Sequence, residues 1–189
     1  MENSKFILEY YPPAWFPKRW RDDTWTCASR TLKAVIEAKT GENRSLESYA
    51  DGWWSRTTNF MTPWSMISVL KKNGLSCKTL WCRFMKKSER LKLLKQEILT
   101  GPVILSIANW LTEKSFFSRR KALTHRHYIS LWGYNDEEEC FYVYDSSCVR
   151  KKDETLKVWT IKIPYKYVLK SRNFGYYKIV SNFGISVEY

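Results

Sequence analysis

Apolar residues recur at helical spacing through the first half of the chain. In residues 27 to 40, Leu32, Val35 and Ile36 line up with Ala28 and Ala38, and Gly41 suits a left-handed stop, so a helix is predicted from Cys27 to Thr40. "SLESYAD" predicts a short second helix. Thr62 precedes Pro63, a residue favoured at the first helical position, and Trp64, Ile67 and Leu70 then form a stripe that ends near Asn73 and Gly74. A further helix opens at Ser88, with Leu91, Leu94 and Ile98 on one face and Gly101 beyond its end. The stretch "KFILEYYPPAWFPKRW" sets three prolines among bulky aromatics, which predicts an extended arm over residues 1–20.

After Gly101 the period changes. "PVILSIAN" is a short, nearly continuous apolar run with β-branched residues and predicts a central strand. "HYISLWGY" and "CFYVYDSS" are separated by the polar turn "NDEEE" and predict a hairpin of adjacent strands. "LKVWTIKIP" adds another strand, "YKYVLKS" a short helix or turn, and "GYYKIVSNFGISVEY" one or two closing strands. Helices first and sheet second is an α+β order. It predicts one domain over residues 1–189, with a mainly helical lobe at 21–100 and a mainly β lobe at 101–189 meeting across a cleft.

With 189 residues, 44% of them hydrophobic and 16% aromatic, the chain suffices for one such domain with its own core. The longest apolar candidate, "GPVILSIANWL", falls short of the roughly 18 to 20 residues of a membrane span. The first residues lack the basic start and long apolar region of a secretory signal. A cytoplasmic setting is therefore expected, with the five cysteines reduced. Cys77 and Cys82 are separated by four residues and Cys140 and Cys148 by seven; neither interval is the two-residue knuckle of structural zinc. The glycines form no phosphate-cradling cluster, and no metal or cofactor is expected.

Charge changes the picture more than composition does. The net charge is +13, and residues 61 to 121 hold thirteen Lys or Arg against three Glu. Such a field attracts anionic partners, whether an acidic peptide, a nucleic acid or a phospholipid head group.

The chemistry centres on Cys27. Unpaired amides and the positive end of the dipole at a helix start stabilise a thiolate. A general base must reach it, and the two histidines are His125, in the polar loop "RRKALTHR", and His127, which opens the strand 127–134 and is held rigidly there. Asp145 ends the next strand of the predicted hairpin. Pairing of those strands brings the start of one beside the end of the other, so Asp145 is placed to orient the His127 ring.

A cysteine at a helix start followed by a histidine strand and an acid strand resembles the papain-like cysteine peptidases, within them the branch that removes double-glycine leaders from bacteriocins and its non-exported relatives. "CASRTLKAVIEAKTG" resembles that branch's nucleophile helix, "GPVILSIAN" its central strand, and "HYISLWGYND" with "FYVYDSS" its histidine and acid strands. The match covers roughly residues 20 to 146. It implies a Cys27, His127 and Asp145 triad and a peptide or protein substrate. The sequence departs from the pattern at Ala28, where glycine is usual, and at Ser146, where proline is usual. The resemblance also implies an oxyanion hole built from the backbone N–H of Cys27 and a glutamine side chain five or six positions earlier. Those positions hold Asp22 and Arg21, and of the two the guanidinium of Arg21 can donate to an oxyanion.

The expected activity is thus a thiol peptidase working through a thioester, on an acidic or extended peptide favoured by the basic middle segment and Trp53, Trp54, Trp64, Trp81 and Trp110. "TEKSFFSRRKALTHR" is long enough to form a lid. Two other readings fit the same residues. The acyl group can pass to an amine rather than water, or an inactive member of the fold can bind nucleic acid or another polyanion through its basic, aromatic surface.

Overall fold

The computed structural model describes residues 4–9, 27–50, 61–82, 84–108, 126–146, 161–171 and 183–189. Helix α1 runs from Cys27 to Thr40, the span that the apolar stripe predicts, and Gly41 comes next at φ 71°, a conformation that glycine adopts without steric cost. "SLESYAD" forms one 3-10 turn, Leu46–Tyr49. Helix α2 spans Pro63–Lys72, and the Thr62 side chain caps it by accepting from Ser65 N at 3.1 Å. Helix α3 spans Lys87–Ile98, where Glu89 accepts from the amide of Lys86 at 2.8 Å. Helix α4 covers Tyr165–Ser171.

Seven strands form one sheet among the described residues: β1 Lys5–Ile7, β2 Cys77–Trp81, β3 Val103–Ala108, β4 Arg126–Asn135, β5 Cys140–Tyr144, β6 Lys162–Pro164 and β7 Phe183–Val187. Their order is β2-β7-β3-β4-β5-β6, every pairing antiparallel, and β1 lies beside the last part of β4. The predicted hairpin is present as β4 and β5, with Ser130 opposite Tyr144.

Two strands add to the expected organisation. Residues 5–7 lie in the stretch read as an arm, yet they are a strand of the sheet, paired Lys5 to Asn135 and Ile7 to Gly133. Residues 77–81 lie in the segment read as mainly helical, yet as β2 they pair along β7. The sheet therefore draws on both halves of the chain. Helix α2 also turns differently from the predicted stripe: Met66, Val69 and Leu70 are buried, while Trp64 is 62% exposed.

The core lies on both faces of the sheet. Ala28, Leu32, Val35 and Ile36 of α1 and Met66 and Leu70 of α2 pack with Ile104, Tyr128, Trp132 and Tyr144. Leu94 and Ile98 of α3 and Val168 and Leu169 of α4 pack with Leu105, Ile129, Leu131 and Val143. Burial on both faces explains why "HYISLWGY" reads as a continuous apolar run rather than an alternation. No described helix is long and apolar enough to cross a membrane.

Candidate active site

Cys27 is the first residue of α1, so its surroundings include amides that have no partner further back in the helix. His127 lies at the start of β4, and Asp145 is the residue after the end of β5. The antiparallel pairing of β4 with β5 carries Asp145 back to His127, and His127 Nε2 lies 2.5 Å from Asp145 Oδ1. Both side chains are buried. Cys27, partly exposed, lies beside His127, and each group shifts the other's titration. Since Nε2 serves Asp145, the ring nitrogen left for the sulfur is Nδ1. The three residues predicted from the sequence form one connected chain.

The electrostatics arise from this geometry. Burial pushes the Cys27 thiol up, but the hydrogen bond and charge of His127, together with the backbone N–H groups of Tyr128 and Ala28, bring it below its ordinary value of 9.0. Burial likewise disfavours a charged His127. The negative charge and hydrogen bond of Asp145, with a further contribution from Cys27, overcome it and raise the imidazole from 6.5 to about 10. Opposite shifts on two bonded groups favour a thiolate beside an imidazolium, titrating as a pair.

Two contacts extend the site beyond the sequence reading. Thr31, one turn along α1 from Cys27 and fully buried, donates its hydroxyl to the carbonyl of Tyr128 at 3.2 Å. The Tyr128 hydroxyl reaches the carbonyl of Met61 at 3.5 Å. The signal for Thr31 is a polar residue inside the apolar stripe of α1, between Ala28 and Leu32.

Several predicted features lie outside the described residues: Asp22, Arg21 and the oxyanion role given to it, His125, residues 112–125 of the 112–126 segment read as a lid, Trp53, Trp54, Trp110 and Cys148. Trp81, like Trp64, is exposed, and the two rings flank Phe183 with centroid separations of 5.1 and 6.2 Å. Among the described residues no three His, Cys, Asp or Glu side chains converge in a metal-binding group.

No protein-family model matches this sequence, and no curated protein matches it. Solved structures do match. A double glycine motif protease from an AMS/PCAT transporter, solved in complex with the leader peptide, aligns over 94% of this chain and 97% of its own at 15% identity, with a TM-score of 0.54. The peptidase domain of Streptococcus ComA, a bi-functional ABC transporter involved in quorum sensing, aligns over 95% and 97% at 12% identity, with a TM-score of 0.49. At 15% identity the likeness to the first is one of fold: the chain shares the α+β fold, with its mostly antiparallel sheet, of that double glycine motif protease.

Proposed function

We propose that this protein is a cysteine peptidase acting through Cys27, His127 and Asp145. The observation that supports the reading most is the continuous chain from the Cys27 sulfur through the His127 ring to Asp145, closed by the 2.5 Å contact at Nε2. The Cys27 thiolate attacks the carbonyl carbon of the scissile amide. The imidazolium of His127 gives its proton to the leaving amine, and the carbon–nitrogen bond breaks to leave a thioester on Cys27. Water then attacks the thioester while His127 takes its proton, releasing the acid and regenerating the thiolate. Asp145 keeps the ring oriented and stabilises its cationic form throughout. In this proposal the Cys27 backbone N–H and the Arg21 side chain bind the developing oxyanion.

A peptide substrate is supported by the leader peptide held by the structurally similar protease. The basic balance of residues 61 to 121 favours a peptide with acidic residues.

The test has two arms. Alkylation with a small thiol reagent at mildly acidic pH, followed by mapping, should label Cys27 ahead of Cys77, whose thiol burial and Glu188 hold above its ordinary range. Incubation with synthetic peptides carrying a double-glycine site should yield a free acid and an amine, and Cys27→Ala should leave them intact. Labelling of Cys27 no faster than Cys77 overturns the proposal. Products bearing a new amide in the presence of an added amine identify an acyl transferase instead.

A further inference from the structure

Tyr128 is held by α1 through its carbonyl, which accepts from Thr31 Oγ1 at 3.2 Å, while its N–H lies on the side of Cys27 and helps to hold that thiol below its ordinary range. Cys27 and Thr31 are four residues apart on α1, so they stand one above the other on one helix face. Tyr128 directly follows His127 on β4. The nucleophile helix thus grips one residue of the histidine strand.

The grip has a physical consequence. A threonine hydroxyl has one proton, and in a helix it commonly goes to a carbonyl one turn back in the same helix. Here it goes to the neighbouring strand. Thr31 is fully buried among Ala28, Leu32 and Val35, positions where an apolar side chain would pack without any polar requirement. A buried hydroxyl at such a position fixes direction as well as distance, because its bond requires the Tyr128 carbonyl to stay opposite the second turn of α1. With that carbonyl held, the N–H of the same residue is held too, on the side of Cys27.

We infer that Thr31 is a positioning residue for the nucleophile: by clasping the carbonyl of Tyr128 it keeps the start of α1, and Cys27 with it, in register with His127. The inference rests on the proposed role of Cys27. Thr31 touches no substrate; it acts through Tyr128 on the thiolate. Among the described residues the titratable group facing the sulfur is His127, which is itself bound to Asp145, and the neutral groups beside it are the amides of Tyr128 and Ala28.

The experiment is the pH dependence of Cys27 alkylation, read by peptide mapping in wild type, Thr31→Val, Thr31→Ala and Thr31→Ser, alongside the melting curve of each. Valine matches the shape of threonine without the hydroxyl, alanine removes the hydroxyl and the branch, and serine keeps the hydroxyl. Thr31→Val and Thr31→Ala should move the alkylation midpoint upward and slow labelling at mildly acidic pH by about five- to tenfold, the effect of one lost hydrogen bond. Thr31→Ser should restore the wild-type midpoint. A merely structural role lowers the melting temperature of the variants but leaves the midpoint of the folded fraction where it was. A midpoint unchanged in both hydroxyl-free variants overturns the inference, as does a shift in Thr31→Ser as large as in Thr31→Val. If the wild-type midpoint already lies at that of an ordinary thiol, the peptidase proposal itself fails and takes this inference with it; an unchanged Thr31→Val with a depressed wild type fails the inference alone.

Discussion

Asp145 lies one residue beyond the end of β5, and its Oδ1 meets His127 Nε2 at 2.5 Å at the open end of the β4–β5 hairpin. The two are buried together, so the carboxylate acts on the ring with little screening by water. The charge matters more here than the hydrogen bond alone, because burial by itself pushes the imidazole toward its neutral form.

Replacing the charge but keeping the shape isolates that effect. In Asp145→Asn an amide oxygen still accepts from Nε2, while the Coulomb attraction is gone. The proton on His127 then leaves at lower pH than the value of about 10 that holds with Asp145 in place. The alkaline limb of the pH–rate profile should move down, and turnover at neutral pH should fall by about 10²-fold or more, as the proton donor is lost. Steady-state rates across pH check this. An alkaline limb that stays in place would show that Asp145 does not set the charge of the ring.

Stability should depend on pH through the same pair, with two opposite signs. His127 binds its proton more tightly when folded, so its contribution is complete below 6.5 and is lost as pH rises toward about 10. Cys27 is depressed from 9.0, so its contribution is complete above that value and is lost as pH falls through the folded value. Where the two ranges overlap, the trends oppose each other. Cys27→Ser removes one of them. Melting temperature in that variant should decline across the range above 6.5, whereas the wild type stays flatter up to about 9 and then declines. Equal slopes in the two proteins would contradict the assignment of a thiolate to Cys27.

Much of this site is legible in the sequence, and for a physical reason. A helix start is marked by the residues after it, so the stripe from Ala28 to Ala38 and the stop at Gly41 locate Cys27 at the N-terminus of α1. A hairpin fixes which ends meet, so "HYISLWGY" and "CFYVYDSS" bring His127 to Asp145 without any further information. The elements that escaped are set by distant partners. β1 is three residues long and gains its identity from Gly133 to Asn135; no local pattern distinguishes it from an extended arm. In β2 Leu80 alone of the five residues is buried and Trp81 is exposed, so hydrophobic burial does not announce the strand. Trp64 fits the stripe of α2 but faces solvent because Met66 and Val69 take the contact with the core. The bond from Thr31 to Tyr128 spans 97 residues and has no sequence period.

A second polar cluster fixes the far end of α1. Lys33 Nζ donates to Glu37 Oε1 at 2.6 Å and to Asn43 Oδ1 at 2.9 Å, and Glu37 Oε1 also accepts from the amide of Arg44 and the hydroxyl of Tyr49. The Lys33 and Glu37 side chains are both buried. Lys33→Met removes the cation and leaves the carboxylate in the interior, which should cost about 3–5 kcal/mol. At about 2–4 °C per kcal/mol for a chain of this size, the melting temperature should fall by roughly 10 °C. The double variant Lys33→Met with Glu37→Leu removes both charges and should recover a large part of the loss. A single variant that melts with the wild type would mean that Glu37 finds water or another cation.

Gly133 governs whether β1 stays on the sheet. It faces Ile7 in the β1–β4 pairing, at an irregularity in the β4–β5 register between Leu131 and Gly133. A Cβ there would meet the carbonyl oxygen of Phe6 and come within 2.9 Å of Ile7 Cα, both backbone atoms that can yield only if the strand moves. The neighbouring bonds from Leu8 N to Trp132 O, 2.9 Å, and from Asp136 N to Ser4 O, 2.7 Å, bracket the contact and would be strained with it. Gly133→Ala should therefore destabilise by about 1–3 kcal/mol through overpacking and displace β1 before it disturbs β3. Hydrogen exchange reads the outcome directly: the Leu8 amide should lose protection while the amides of β3 keep theirs. Protection retained at Leu8 would mean that β4 absorbs the extra methyl by shifting at the irregularity instead, and the His127 end of the strand should then move with it, changing the alkylation rate of Cys27.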